Sequence, residues 1–103
     1  MPPFITLTGK SNKDYVFTVL SLNRKLPDSA GLYVVTNTIR DNEGEIQHTP
    51  LQIGSCEDLS KLFDQNQFQE LRNTGSNRVC IKIEEITEYR QQIEQDLKEK
   101  YQL

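Results

Sequence analysis

Residues 31–54 read GLYVVTNTIRDNEGEIQHTPLQIG and carry the clearest fold signal in the chain. Leu32–Ile39 is rich in β-branched and aromatic residues, which is typical of a β-strand. Arg40–Gly44 is polar and ends in glycine, so it predicts the tip of a hairpin. Thr49–Ile53 predicts the returning strand, which Gly54 ends. The stretch therefore predicts an antiparallel β-hairpin.

Two more strands are predicted, one before the hairpin in the sequence and one after it. Tyr15–Leu20 combines β-branched and aromatic residues, and Arg78–Ile83 alternates between polar and apolar residues. The polar stretch Thr8–Asp14 predicts a loop before the first of these strands. We therefore expect a small antiparallel sheet of three core strands plus an N-terminal strand.

Helices are predicted after the hairpin. Ser55 is expected to cap the first helix, because Asp58 follows it at the spacing of a capping box. A second, short helix is expected over Gln67–Arg72. Thr87–Gln102 predicts the last helix, whose apolar residues recur every four positions: Tyr89, Ile93, Leu97 and Tyr101. The order of elements predicts an α/β fold, more narrowly α+β, in which helices flank the sheet.

Composition limits the class of protein. The chain has 103 residues and a net charge of −3, which favour a single domain over 1–103 and disfavour a dedicated nucleic-acid binder with a basic face. No apolar run approaches the ~20 residues that span a membrane, and the N-terminus lacks the pattern of a secretory signal. Two cysteines are too few for a disulfide framework. We therefore expect a soluble, intracellular protein of the cytoplasm with no membrane partner.

Three motifs together resemble the GIY-YIG nuclease superfamily, most closely its small single-domain bacterial members. Gly31-Leu32-Tyr33 begins one strand, Gln52-Ile53-Gly54 ends the next, and Ile93–Leu97 lies on the last helix. The second motif of those members reads roughly His-Thr-Pro-Leu-Tyr-Ile-Gly-x-Thr-x-Asp-Leu-x-x-Arg-Phe-x-x-His. Here, residues 48–66 read HTPLQIGSCEDLSKLFDQN. The resemblance covers about residues 15–102 and implies a GIY-YIG-like fold.

The resemblance implies metal-dependent hydrolysis of phosphodiester bonds in DNA. By motif position, Tyr33 matches a tyrosine that helps to activate water, and Glu94 matches the glutamate that binds one divalent metal, Mg²⁺ or Mn²⁺. The chain departs at Cys56, where Thr is usual, and at three positions that carry the chemistry. Gln52 and Leu62 replace the tyrosine and the arginine that contact the scissile phosphate, and Asn66 replaces a histidine that assists in many members. Losing one preorganised donor typically costs ~3–4 kcal/mol of transition-state stabilisation.

These departures favour a pseudoenzyme, a binding or interaction module in which Tyr33 and Glu94 are vestigial and no cofactor is needed. Its partner would be another protein or a second copy of the chain, with room for weak nucleic-acid binding. The alternative is an active endonuclease with a rearranged site that uses Tyr33 and Glu94, with Arg90 as a candidate to replace the missing arginine. A third reading is that the resemblance reports the fold alone. Glu94 also has a purely structural interpretation, because Arg90 and Lys98 lie at the i−4 and i+4 spacing of helical ion pairs.

Overall fold

The structure is a computed structural model that describes residues 4–21, 26–40, 42–44, 46–61, 73 and 78–103. Its described elements are an antiparallel sheet, one short 3-10 turn at Leu59–Lys61, and one α-helix near the C-terminus. In chain order the strands and the helix are β1 (Phe4–Thr8), β2 (Asp14–Ser21), β3 (Gly31–Arg40), β4 (Ile46–Cys56), β5 (Arg78–Ile83) and α1 (Thr87–Tyr101).

The five strands form one sheet in the order β1-β2-β5-β3-β4, and every neighbouring pair is antiparallel. The predicted hairpin is β3–β4, in which Tyr33 lies opposite Gly54. Gly44, at its tip, has a φ of 85°, which glycine adopts without strain. Pro50 lies in β4, and its missing N–H is tolerated there because β4 is an edge strand of the sheet. The predicted hairpin therefore forms one side of the sheet, and the other three strands follow beyond β3.

The sheet has a hydrophobic cluster on each face, because alternate residues of a strand point in opposite directions. The cluster beneath α1 contains Leu7, Phe17, Val19, Leu32, Val34, Ile53, Cys80, Ile93 and Leu97. The cluster on the other face contains Leu20, Leu26, Leu59, Val79 and Ile81, with Tyr33 and Cys56 packed against it. The centre of the sheet is thus covered on both sides.

Helix α1 lies mainly against β4 and also touches β1 and β3. Its buried residues are Arg90, Ile93 and Leu97. The predicted four-residue spacing holds for Ile93 and Leu97, but Tyr89 is 51% exposed, and Arg90 takes the buried position at the start of the helix. The helix ends at Tyr101, since Gln102 is left-handed with a φ of 58°. No helix in this described part of the chain is long and apolar enough to cross a membrane.

Comparison with the sequence-based expectations confirms four strands and the last helix and corrects two elements. The expected three core strands with one N-terminal strand are in fact five, because Phe4–Thr8 adds an edge strand that pairs with β2. The loop expected over Thr8–Asp14 is confirmed and connects these two strands. The helix start expected at Ser55 is wrong, because Ser55 and Cys56 continue β4, where they pair with β3. The part of that helix expected beyond Lys61 lies outside the described residues. Asp58 caps the following 3-10 turn instead, since its Oδ1 accepts hydrogen bonds from Ser60 N (3.0 Å) and Ser60 Oγ (2.6 Å).

The expectation of helices flanking the sheet is matched in part, by α1. The expected helix over Gln67–Arg72 lies outside the described residues, as do Leu62 and Asn66.

Candidate functional site

An open pocket of about 430 Å³ lies where edge strand β4 meets helix α1, and we call it the β4–α1 pocket. Three residues singled out by the motifs, Tyr33, Gln52 and Glu94, line it. Gln52 and Ile53 both line it although neighbouring strand residues point to opposite faces, so the pocket wraps around the edge of β4. The fold therefore brings together side chains from β3, β4 and α1 that are up to 61 positions apart in the chain.

Gly54 is what lets Tyr33 reach this pocket. The two residues pair across β3 and β4. A Cβ atom at position 54 would lie 2.5 Å from Cζ and 2.8 Å from Cε1 of the tyrosine ring, closer than carbon atoms can approach. Only a residue without a side chain allows the ring to lie across β4 at this point.

The Tyr33 hydroxyl is held as a protonated phenol. Burial raises the pKa of Tyr33 above its ordinary value, a hydrogen bond from Gln52 opposes this rise, and the charge of Glu94 adds to it. The bond from Gln52 Nε2 to the Tyr33 hydroxyl is long, at 3.5 Å, and exposed. At neutral pH Tyr33 can therefore donate or accept a hydrogen bond, but it is a poor base for water.

Glu94 is paired with a cation on its own helix. Lys98 Nζ lies 3.5 Å from Glu94 Oε2, with the lysine side chain 40% exposed and the glutamate side chain 24% exposed. This confirms the ion pair expected at i+4. Exposed helical pairs of this kind contribute about 0.3–0.5 kcal/mol, so the pair matters more for the charge of the pocket than for stability.

The residues present do not by themselves make a divalent-metal site. Among the described residues, no three His, Cys, Asp or Glu side chains converge as metal ligands would. Glu94 offers one carboxylate, and an ammonium already faces it. Mg²⁺ prefers octahedral oxygen coordination, which one carboxylate can enter only with substrate oxygens and water around it.

Arg90 is not placed to replace the missing arginine. It is 4% exposed. Its Nη1 donates to the carbonyls of Glu84 and Glu85 at 3.0 Å each, and its Nη2 donates to Thr87 Oγ1 at 3.0 Å. The guanidinium therefore fixes the connection between β5 and α1, and the ion pair expected between Arg90 and Glu94 is replaced by these bonds.

Asp96 makes a long-range structural contact that the sequence reasoning missed. Its carboxylate accepts hydrogen bonds from Ser11 N (2.9 Å), Ser11 Oγ (2.6 Å) and the Tyr15 hydroxyl (2.7 Å). The Ser11 hydroxyl is the main reason why the pKa of Asp96 is lower than usual, and Tyr15 adds to the effect. Asp96 thus ties the β1–β2 loop to α1, and no local pattern could reveal partners more than 80 positions away.

Comparison with protein-family models, curated proteins and solved structures finds no match to this chain. The resemblance to GIY-YIG nucleases therefore stays a prediction that rests on the three motifs.

Proposed function

We propose that this chain is a GIY-YIG-like domain with a degenerate active site, which works as an interaction module and lacks appreciable nuclease activity. The contents of the β4–α1 pocket support this proposal most directly. There, Tyr33 is partnered by the amide of Gln52, and Glu94 is partnered by the ammonium of Lys98.

The chemistry of phosphodiester hydrolysis explains why these partners matter. The reaction needs a base that takes a proton from water and cations that neutralise the charge developing on the phosphate. Tyr33 holds its proton at neutral pH, since the ordinary pKa of tyrosine is 10.0 and burial raises it further, and the amide of Gln52 is neither an acid nor a base. Leu62 has no donor for a phosphate oxygen. Catalytic groups that act as a unit depend on one another, so we expect these substitutions together to abolish phosphodiester hydrolysis.

The alternative, an active endonuclease with a rearranged site, has less support from the geometry. Arg90, the candidate to replace the arginine in that site, donates hydrogen bonds to the Glu84 and Glu85 carbonyls and to Thr87. Turning it toward a substrate would break its hydrogen bonds to these two carbonyls and to the Thr87 hydroxyl.

A nicking assay on supercoiled plasmid tests the proposal. The purified chain with Mg²⁺ or Mn²⁺ is expected to nick no more than buffer does, and Glu94→Ala is expected to behave identically. The Glu94→Ala variant is the control for a contaminating nuclease, since a contaminant would cleave with both proteins. Metal-dependent cleavage by the natural sequence that disappears in Glu94→Ala would overturn the proposal in favour of the alternative.

A further inference from the structure

The connection between β5 and α1 exposes large apolar side chains among carboxylates. Ile83, Ile86 and Tyr89 are 53%, 50% and 51% exposed. Residues 83–89 read IEEITEY, so three glutamates alternate with these apolar residues. Single exposed apolar residues are ordinary, whereas exposed apolar residues grouped together with a polar rim mark binding surfaces. We call residues 83–89 the acidic–apolar surface.

The backbone of this surface is held in place from below. Arg90 donates to two carbonyls of the segment, as described above, and the backbone N–H of Glu84 donates to Ala30 O at 3.0 Å. The N–H of Ile86 donates to Glu84 Oε1 at 3.2 Å. The apolar side chains are therefore exposed on a fixed backbone, which lowers the entropy cost of binding a partner.

The acidic–apolar surface continues into a second pocket. This pocket has a volume of about 440 Å³, and its lining includes Tyr15, Glu84, Tyr89 and Asp96, with the ammonium of Lys13 also present. Phenol rings attract a cation through their faces, and carboxylates attract it through charge-assisted hydrogen bonds. The pocket thus combines two features that suit the side chain of a lysine or an arginine.

We propose that the acidic–apolar surface and this pocket bind a basic amphipathic peptide segment of another protein. Apolar residues of the segment cover Ile86 and Tyr89, and a Lys or Arg side chain enters the pocket beside Glu84. A second copy of the chain is a poor occupant, because a two-fold contact would place the three glutamates against their own copies. Phosphate-bearing partners are repelled by the same charges.

This proposal names the class of partner for the interaction module proposed above, and in that sense it rests on that function. It uses no residue of the β4–α1 pocket. Binding can therefore fail while the nicking assay still supports a degenerate site, and the two failures are distinguishable.

Fluorescence anisotropy with three labelled peptides of equal length tests the proposal. The first peptide is helical and amphipathic, with Leu on one face and Lys on the other. The second has the same composition in shuffled order, and the third carries Glu in place of Lys. The first peptide is expected to bind at least tenfold more tightly than either of the others. Equal binding of the shuffled peptide, or no saturable binding of the first, would overturn the proposal.

Variants locate the binding to the surface. Glu85→Lys with Glu88→Lys is expected to weaken binding of the first peptide at least tenfold. The matched control is Glu43→Lys with Glu99→Lys, which changes the net charge equally. Glu43 lies at the far end of the β3–β4 hairpin, and Glu99 lies three turns along α1 from Glu88, roughly 16 Å away. The control is expected to weaken binding less than threefold. An equal loss of affinity in the two double variants would show that net charge alone explains the effect and would overturn the proposal.

A second pair of substitutions tests the apolar part. The double variant Ile86→Ser with Tyr89→Ser leaves the net charge unchanged. It is expected to weaken binding of the first peptide at least tenfold, while the salt dependence of binding stays that of the natural sequence. Both residues are about half exposed, so the fold should be retained, and circular dichroism checks this. Unchanged affinity in the folded double variant would show that apolar contact plays no part and would overturn the proposal as stated.

Discussion

Substituting Gly54 tests how Tyr33 is placed in the β4–α1 pocket. A methyl group at position 54 would lie 2.5 Å from Tyr33 Cζ, so in Gly54→Ala either the ring or the strand must move. Overpacking of this kind costs about 1–3 kcal/mol. For a chain of this length each kcal/mol lowers the melting temperature by roughly 4 °C, so Gly54→Ala is expected to melt ~4–12 °C lower.

A double-mutant cycle separates this clash from other effects of the substitution. Tyr33→Val removes the ring and keeps a residue that suits a strand. Without the ring, the three closest contacts of the alanine methyl group are gone. Because Gly54 does not have the positive φ that disfavours other residues, Gly54→Ala is then expected to be neutral or to stabilise by up to ~1 kcal/mol. The effect of the same substitution thus reverses sign, and the coupling free energy is at least about 1 kcal/mol.

Urea unfolding of the four proteins, followed by far-ultraviolet circular dichroism, measures this coupling. The free energies of unfolding at a common slope close the cycle. An equal cost of Gly54→Ala in both backgrounds would refute the reasoning, since it would show that the strand and not the Tyr33 ring opposes the methyl group. A cost below ~0.5 kcal/mol in the natural sequence would show that the ring swings away freely and has no fixed place in the pocket.

Three further substitutions test the contacts around α1. Asp96→Asn is expected to lower the free energy of unfolding by about 1–2 kcal/mol at pH 7, because the carboxylate accepts three hydrogen bonds. Because the pKa of Asp96 is lowered in the folded protein, its contribution to stability is complete above the ordinary pKa of 3.8 and is lost as the pH falls through the folded pKa. Urea midpoints measured from pH 7 to pH 2.5 should therefore fall less in Asp96→Asn than in the natural sequence. Arg90→Lys is expected to lower the melting temperature clearly, because an ammonium cannot reach two carbonyls and the Thr87 hydroxyl in one geometry; a melting temperature equal to that of the natural sequence would contradict the described role. Lys98→Met is expected to change the free energy of unfolding by less than ~0.5 kcal/mol in urea unfolding, and a larger loss would mean that the pair with Glu94 is structural.

The strands were predictable where the pattern of side chains follows local rules. Leu32 and Val34 of β3, Ile53 of β4 and Cys80 of β5 face one cluster, whereas Val79 and Ile81 of β5 face the other, and this alternation is visible in the sequence. The resemblance to GIY-YIG nucleases implied that Tyr33, Gln52 and Glu94 belong to one site, and all three line one pocket. Features that follow from a short local pattern could therefore be predicted from the sequence.

The remaining features depend on contacts between distant segments. Ser55 has the local signal of a helix cap, but its backbone pairs with Leu32 and extends β4 instead. Helical periodicity favoured Tyr89 as a buried residue, whereas the carbonyls of the β5–α1 connection draw Arg90 inward. Asp96 binds a loop 85 positions away. Such partners are set by the tertiary fold, and propensity and spacing do not specify them.

Restoring the three replaced positions tests the central claim, that a nuclease-like scaffold carries a disabled site. The measurement is nicking of supercoiled plasmid by the triple variant Gln52→Tyr, Leu62→Arg and Asn66→His, with Mg²⁺ or Mn²⁺, beside the natural sequence and the triple variant with Glu94→Ala. The account predicts nicking by the triple variant alone. Metal-dependent nicking by the natural sequence, or none by a triple variant that circular dichroism shows to be folded, would contradict it.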